Sequence, residues 1–257
     1  MPIVNLNADV GETFGAHEYE FDQSILDIVQ SVSIACGMYA GDPPTMHFLT
    51  KLAAERDVSF GAHPGYNDLW GYGRRRIDMD PRHLEYLVAY QIGALQALAS
   101  YHGKRVTHVK AHAALYNYAV ADRASAMAIA RATKTVDPSM VLVALSGSEM
   151  EKAGRELGLL VAREGFCDRL YENDGSLTPR IVTGAVIKDA EQAAQQALRM
   201  VKEGTVLSRQ GECIPVAVDT LCVHANEPTA VALGKAVHRA LSENHVQLVS
   251  LLSLKLT

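Results

Sequence analysis

Asp9, Glu12, His63, Lys110 and His112 are the residues whose types and positions best suit proton transfer and oxyanion stabilisation. They fall in short polar clusters that each follow a strand-like run. These are Asn7-Ala8-Asp9-Val10-Gly11-Glu12, Gly61-Ala62-His63-Pro64-Gly65-Tyr66 and Lys110-Ala111-His112, with Gly37-Met38-Tyr39-Ala40-Gly41-Asp42 as a further cluster. Paired carboxylates divide labour when one orients a partner or a cation and the other exchanges protons. Asn5, Asn7 and Asp9 alternate along one strand face, which an apolar core excludes unless that face opens on a site. Pro64 fixes the exit of His63, and Gly65 permits a sharp turn. Lys110 leaves the apolar run 106–109 two residues before His112. Either burial lowers its pKa until it shares protons, or it stays charged and stabilises an oxyanion.

Other groups can join this set. Gly71-Tyr72-Gly73-Arg74-Arg75 brings guanidinium groups suited to a carboxylate or phosphate, and His224 repeats the strand-end pattern late in the chain. Asp9, His63 and His112 also make an oxygen–nitrogen set for a divalent metal, but without HExxH-type spacing, so the metal stays open. Cys36 ends a strand but reads as a small buried hydrophobe. Neither GxxxxGK[ST] nor GxGxxG after the first strand occurs, so any nucleotide is held in another way or by a partner.

Loops leaving the C-terminal ends of parallel strands gather on one face, and such a face brings these groups together. Short aliphatic runs at 3–7, 32–35, 58–62, 106–109, 140–145, 159–162 and 221–223 read as buried parallel strands. Helical periodicity covers 44–56, 81–101, 124–136, 190–200 and 227–243, with Asp80-Pro81 and Asp189 as helix starts and Gly103 as a stop. Segment 206–216 reads as a hairpin, and the polar stretch 168–184 as a loop or lid over the strand ends. The expectation is a single α/β barrel domain spanning 1–257, with no linker or internal repeat.

The 257 residues are 48% hydrophobic, enough for a sizeable core, and the net charge is -5 with acids and bases interspersed. No basic footprint for nucleic acid or an anionic membrane is present. Without CxxC spacing the cysteines read as reduced thiols. With no basic and apolar leader and no run of spanning length, the expected location is cytoplasmic. Self-association is left open.

The clusters above, together with Ile34-Ala35-Cys36-Gly37, Ala40-Gly41-Asp42-Pro43, Tyr90-Gln91-Ile92-Gly93-Ala94-Leu95, Leu115-Tyr116-Asn117 and Asp219-Thr220-Leu221-Cys222-Val223-His224, resemble the LamB/YcsF family nearly end to end. The resemblance implies a seven-stranded variant of the β/α barrel akin to polysaccharide deacetylases. It further implies ATP-dependent opening of 5-oxoproline to glutamate, with ATP as co-substrate and two partner subunits. On that reading Asp9, Glu12, His63, Lys110 and His112 are the catalytic set, and Asn7, Tyr39, Asp42, Arg74, Asn117 and His224 contact substrate. Glu12 or His112 handles the water or leaving-nitrogen proton, Lys110 the oxyanion or acyl phosphate, and Arg74 the substrate carboxylate.

The chain departs from the family pattern at Met38 and Tyr39, where Phe and His are usual, and at Ala111 and Ala113, where Pro and Gly are usual. It departs again at Ala225 and Asn226, where Gly-Asp is usual. Two rival readings follow: a metal-dependent deacetylase or amidohydrolase that needs no ATP, and a lactam-binding protein without catalysis.

Overall fold

A computed structural model describes residues 1–14, 20–224 and 229–256. Strands β1 (Ile3–Val10), β2 (Ser31–Ala35), β3 (Ser59–His63), β4 (His108–Val109), β5 (Val141–Leu145) and β6 (Leu160–Phe166) pair in sequence order, all parallel. The late strand β9 (Thr220–His224) pairs with both β6 and β1, which closes a seven-stranded barrel. A short strand, β10 (Gln247–Leu248), adds to the start of β1 at Ile3 and Val4.

Helices α1 (Glu20–Leu26), α2 (Pro43–Glu55), α3 (Pro81–Ser100), α4 (Ala113–Ala119), α5 (Arg123–Val136), α6 (Glu149–Glu156), α7 (Ala190–Glu203) and α8 (Ala230–Glu243) follow the strands. Their starts obey local chemistry: Asp80 and Asp189 accept from the backbone N–H groups of Arg82 and Gln192 at 2.8 Å each. α7 ends at Gly204, whose φ of 64° an L side chain rarely adopts.

Two chemically different interiors result. The even positions of β1, Val4 to Val10, join the aliphatic core that also takes in Leu49, Ile92 and Ile129 of α2, α3 and α5. The odd positions build a polar stack. Asn5 Oδ1 accepts from Ser31 Oγ at 2.7 Å and Thr220 Oγ1 at 2.8 Å, and Asn7 Nδ2 donates to Thr220 Oγ1 at 2.7 Å. Asp9 lies in register with His224 at the upper end. Buried polar groups hold their place only when hydrogen-bonded, so this stack fixes the strand register beneath the site.

The expected strands are all present, but β6 runs to Phe166 rather than stopping at 162. Arg163 points away to Asp219, with Nε to Oδ2 at 2.8 Å, while Glu164 is fully buried among the barrel's polar groups. The sequence reading omitted α1, α4 and α6, which are only seven or eight residues long. The hairpin forms from β7 (Thr205–Leu207) and β8 (Cys213–Pro215), antiparallel and separate from the barrel. Segment 168–184 is a structured connection. Gln196 of α7 donates to the carbonyls of Phe166, Cys167 and Arg169, and Phe166 N donates to Tyr171 Oη at 2.7 Å.

Residues 225–228, which include Ala225, Asn226 and the expected start of the last helix, lie outside the described residues. All four cysteines are free thiols. Among the described residues, no helix is long and apolar enough to cross a membrane.

Candidate active site

The C-terminal ends of the strands surround a cavity of about 340 Å³ whose lining includes Asp9, Glu12, His63, Lys110, His112 and His224. Groups from the first and the last strand of the barrel thus share one mouth.

Lys110 is the centre of its floor. Its ammonium lies 2.9 Å from Asp9 Oδ1 and 2.8 Å from Glu164 Oε1, and it donates to Asn7 Oδ1 at 3.2 Å and Cys222 Sγ at 3.1 Å. Burial favours a neutral amine, but Asp9, Cys222 and Glu164 outweigh it and hold the pKa well above the usual lysine value. Lys110 is therefore a fixed ammonium, and the proton-sharing alternative is corrected. On Asp9 burial opposes charge, yet His63, Lys110 and His224 together pull its pKa below the normal carboxylate range. Glu164 moves the other way, because burial outweighs the attraction of Lys110 and raises its pKa. Tyr116 Oη donates to Glu164 Oε2 at 2.8 Å.

A second chain of groups runs along the wall. His63 Nδ1 faces the Lys110 carbonyl at 2.7 Å, and His112 Nε2 faces the Tyr72 carbonyl at 3.0 Å. Carbonyls only accept, so both of those nitrogens carry hydrogen. The remaining atoms, His63 Nε2 and His112 Nδ1, lie 3.1 Å apart, and Glu12 Oε1 is 3.0 Å from His112 Nδ1 and 3.9 Å from His63 Nε2. Burial lowers the His63 pKa to about 4, so its Nε2 offers a lone pair at neutral pH. Glu12 is also opposed by burial but is hydrogen-bonded to His112, and its pKa falls to about 2. Acceptors therefore converge on one point, and a positive species has to satisfy them. That species is either a proton on His112 Nδ1 or a cation.

His224 completes the ring, with Nδ1 2.7 Å from Asp168 Oδ2 and its ring stacked on Phe166. Burial opposes charge on Asp168, but His224, Arg180 and Arg169 keep its pKa low. Arg74 and Asn117 lie on the exposed rim of the cavity.

Three expected substrate contacts lie elsewhere. Asn7 sits below the floor, bonded to Glu164, Thr220, Leu221 and Lys110. Asp42 accepts from Thr45 N at 2.9 Å and Thr45 Oγ1 at 2.6 Å, so its carboxylate is the cap of α2. Tyr39 is fully buried, its ring stacked 3.6 Å from His112 at an interplanar angle of 5°, behind the imidazole rather than in the cavity. It clamps the orientation of His112. Burial pushes the Cys36 thiol up to about 12, which leaves it inert.

The sequence reading missed Glu164, Tyr116, Phe166, Asp168 and Arg169. A charged residue inside an aliphatic strand was the one available signal, and Glu164 carried it.

Ala113, the first residue of α4, has φ 36°, a backbone region that favours glycine, and the family pattern has glycine here. Ala113→Gly is expected to raise stability by about 1 kcal/mol. Urea midpoints at unchanged slope check this, and an unchanged or lower midpoint contradicts the strain.

With this geometry in place, comparison with known proteins places the chain. Residues 4–255 match the LamB/YcsF family. The chain belongs to that family. It is 47% identical over 241 residues, 94% of either chain, to a protein of Halalkalibacterium halodurans named as a component of 5-oxoprolinase. A protein of the same name from Nitrobacter hamburgensis is 48% identical, covering 95% of this chain and 96% of the other. Among solved structures, the lactam utilization protein of Thermus thermophilus superposes with a TM-score of 0.91 at 43% identity, covering 96% of this chain and 99% of that one. A peptidoglycan N-acetylglucosamine deacetylase domain from Eubacterium rectale, at TM-score 0.50 and 11% identity, shares the fold alone. These matches agree with the single β/α barrel.

Proposed function

We propose that this LamB/YcsF member is the ring-opening component of an ATP-dependent 5-oxoprolinase, acting on 5-oxoproline with two further subunits to give glutamate. The names carried by its relatives support the substrate class and the multi-subunit setting. The observation that carries the reading is the Lys110 ammonium, held between Asp9 and Glu164 beside the Glu12–His112–His63 chain.

A five-membered lactam keeps its amine and carboxyl ends together, so ring closure competes with hydrolysis and ATP supplies the direction. Phosphoryl transfer to the amide oxygen, with release of ADP, makes the ring carbon electrophilic. Water adds to that carbon and the C–N bond breaks, with the nitrogen taking a proton. A second water releases phosphate from the resulting acyl phosphate. Lys110 faces the negative charge on oxygen, and the Glu12–His112 pair moves the water and nitrogen protons. With no phosphate loop in the sequence, ATP is assigned to a partner-bound or shared site.

The convergent acceptors favour a second reading in which a divalent cation is held by Glu12, His63 and His112, whose ligand atoms lie within 4.8 Å of one another. The donor set fits zinc or manganese, and each imidazole is oriented by a backbone carbonyl. Held by these residues, such an ion would supply the Lewis acidity that amide hydrolysis without nucleotide requires.

One experiment separates these readings. The chain is incubated with and without the partner subunits, ATP and 5-oxoproline, and glutamate, ADP and bound metal are measured together. Equal glutamate and ADP, formed only in the full mixture, is the expected result. Glutamate formed without ATP, with stoichiometric metal, supports the second reading, and lactam binding without turnover in any mixture overturns both.

A further inference from the structure

The connection after β6 carries two arginines that the chemistry above does not use. Arg169 is 3% exposed. Its Nη2 donates to the Thr178 carbonyl at 2.5 Å, while its Nε has no hydrogen-bond partner among the described residues. Arg169 and the half-buried Arg180 both line the central cavity. The neighbouring acid, Asp168, has one carboxylate oxygen bonded to His224 rather than to either guanidinium.

A guanidinium out of water with an open N–H is costly unless an anion meets it. The cost is higher here because a like charge stands beside it. Burial, with the adjacent charge of Arg180, brings the Arg169 pKa down to about 10, and Asp168 only partly offsets this. Arg169 is too deeply buried for bulk water to serve freely as the missing partner. What such a wall accommodates is a compact oxyanion with paired acceptor oxygens.

We propose that Arg169 and Arg180 form an oxyanion subsite of this cavity, built for the carboxylate or phosphoryl oxygens of a small substrate. It deepens the ring-opening reading and rests on it for the identity of the substrate. There the carboxylate of 5-oxoproline docks on Arg169 and Arg180, the amide faces Lys110, and Arg74 stays on the rim. The subsite then sets specificity for lactams that carry an acid group.

The test is calorimetric titration of the full chain, without partners or nucleotide, using 5-oxoproline, uncharged 2-pyrrolidinone and inorganic phosphate. Charge-assisted hydrogen bonds correspond to a preference of roughly 10- to 100-fold for 5-oxoproline over 2-pyrrolidinone. Arg169→Lys and Arg180→Gln are expected to reduce that preference to within about threefold. Arg180 is only half-buried, so its variant remains informative if the Arg169 variant misfolds.

Phosphate that competes with 5-oxoproline in the parent but not in the variants supports a subsite open to both oxyanions. Phosphate binding without 5-oxoproline binding assigns it to a phosphoryl group. Equal affinity for the charged and neutral lactams, an unchanged preference in the variants, or no binding of any probe overturns the proposal. Because no turnover is read, a retained preference in a chain that fails to support glutamate formation counts against the ring-opening reading alone.

Discussion

Lys110→Met is expected to destabilise the protein by roughly 3 to 5 kcal/mol at neutral pH and to abolish ATP-coupled ring opening. The reason is the asymmetry of buried charge. Lys110 and Asp9 are both buried, and removing the ammonium leaves an ionised carboxylate with its main counter-charge gone. Glu164 softens the loss, because burial raises its pKa and it becomes the neutral acid more readily than Asp9 once the ammonium is gone. Glu164→Gln alone, which mimics that acid and keeps an acceptor for Lys110 and Asn7, is therefore expected to cost only about 1 kcal/mol.

The pH dependence follows from the directions of the shifts. Lys110 is raised, so its contribution is complete below its unfolded pKa and is lost only as pH rises through the folded value. Asp9 is depressed, so its contribution is present above its unfolded pKa and lost as pH falls through the folded one. The stabilising window thus runs from about pH 4 to pH 10, and the deficit of Lys110→Met shrinks as acid protonates Asp9. Denaturant titrations carried from below about pH 4 to above about pH 10 check both arms. A deficit that grows on acidification contradicts the pairing.

His112→Ala is expected to lower turnover roughly 100- to 10,000-fold while leaving 5-oxoproline affinity within about threefold. The imidazole lies between Glu12 and His63 and is held from behind by the stacked Tyr39, so its loss cuts the wall chain at its middle. The oxyanion subsite and Lys110 are untouched, which is why binding survives. Turnover rates and calorimetry on the same preparation make the comparison. A parallel loss of rate and affinity assigns His112 to substrate binding instead. If the cation reading holds, metal content falls with the rate.

The sequence made the barrel legible because most strands are aliphatic runs between turn residues and the long helices α2, α3, α5 and α7 each start at a capping Asp. The site was legible where polarity interrupted that pattern at a strand end. The alternation Asn5, Asn7, Asp9 and the pair Lys110, His112 both marked the inner face, and the structure draws them together. The same rule failed inside β6, where an aliphatic criterion ended the strand before Arg163 and Glu164. A barrel interior filled by hydrogen-bonded polar groups reverses the usual meaning of a charge in a strand.

Proximity to a strand end also misled. Asp42 precedes Pro43-Pro44 and carries the local signature of a helix cap, which the structure realises at Thr45. Tyr39 stands where the family pattern has histidine, but its direction is set by packing against His112, a tertiary fact that no spacing contains. Arg169 and Asp168 were hidden in a polar stretch whose order comes from distant Gln196.

The most direct test of the central claim is glutamate formation by the complete mixture of subunits, ATP and 5-oxoproline, with the parent chain compared against Lys110→Met at equal folded concentration. The parent is expected to yield glutamate and ADP in equal amounts, and the variant no coupled glutamate. Glutamate formed by the variant at the parent's rate removes Lys110, and with it the proposed centre, from the reaction.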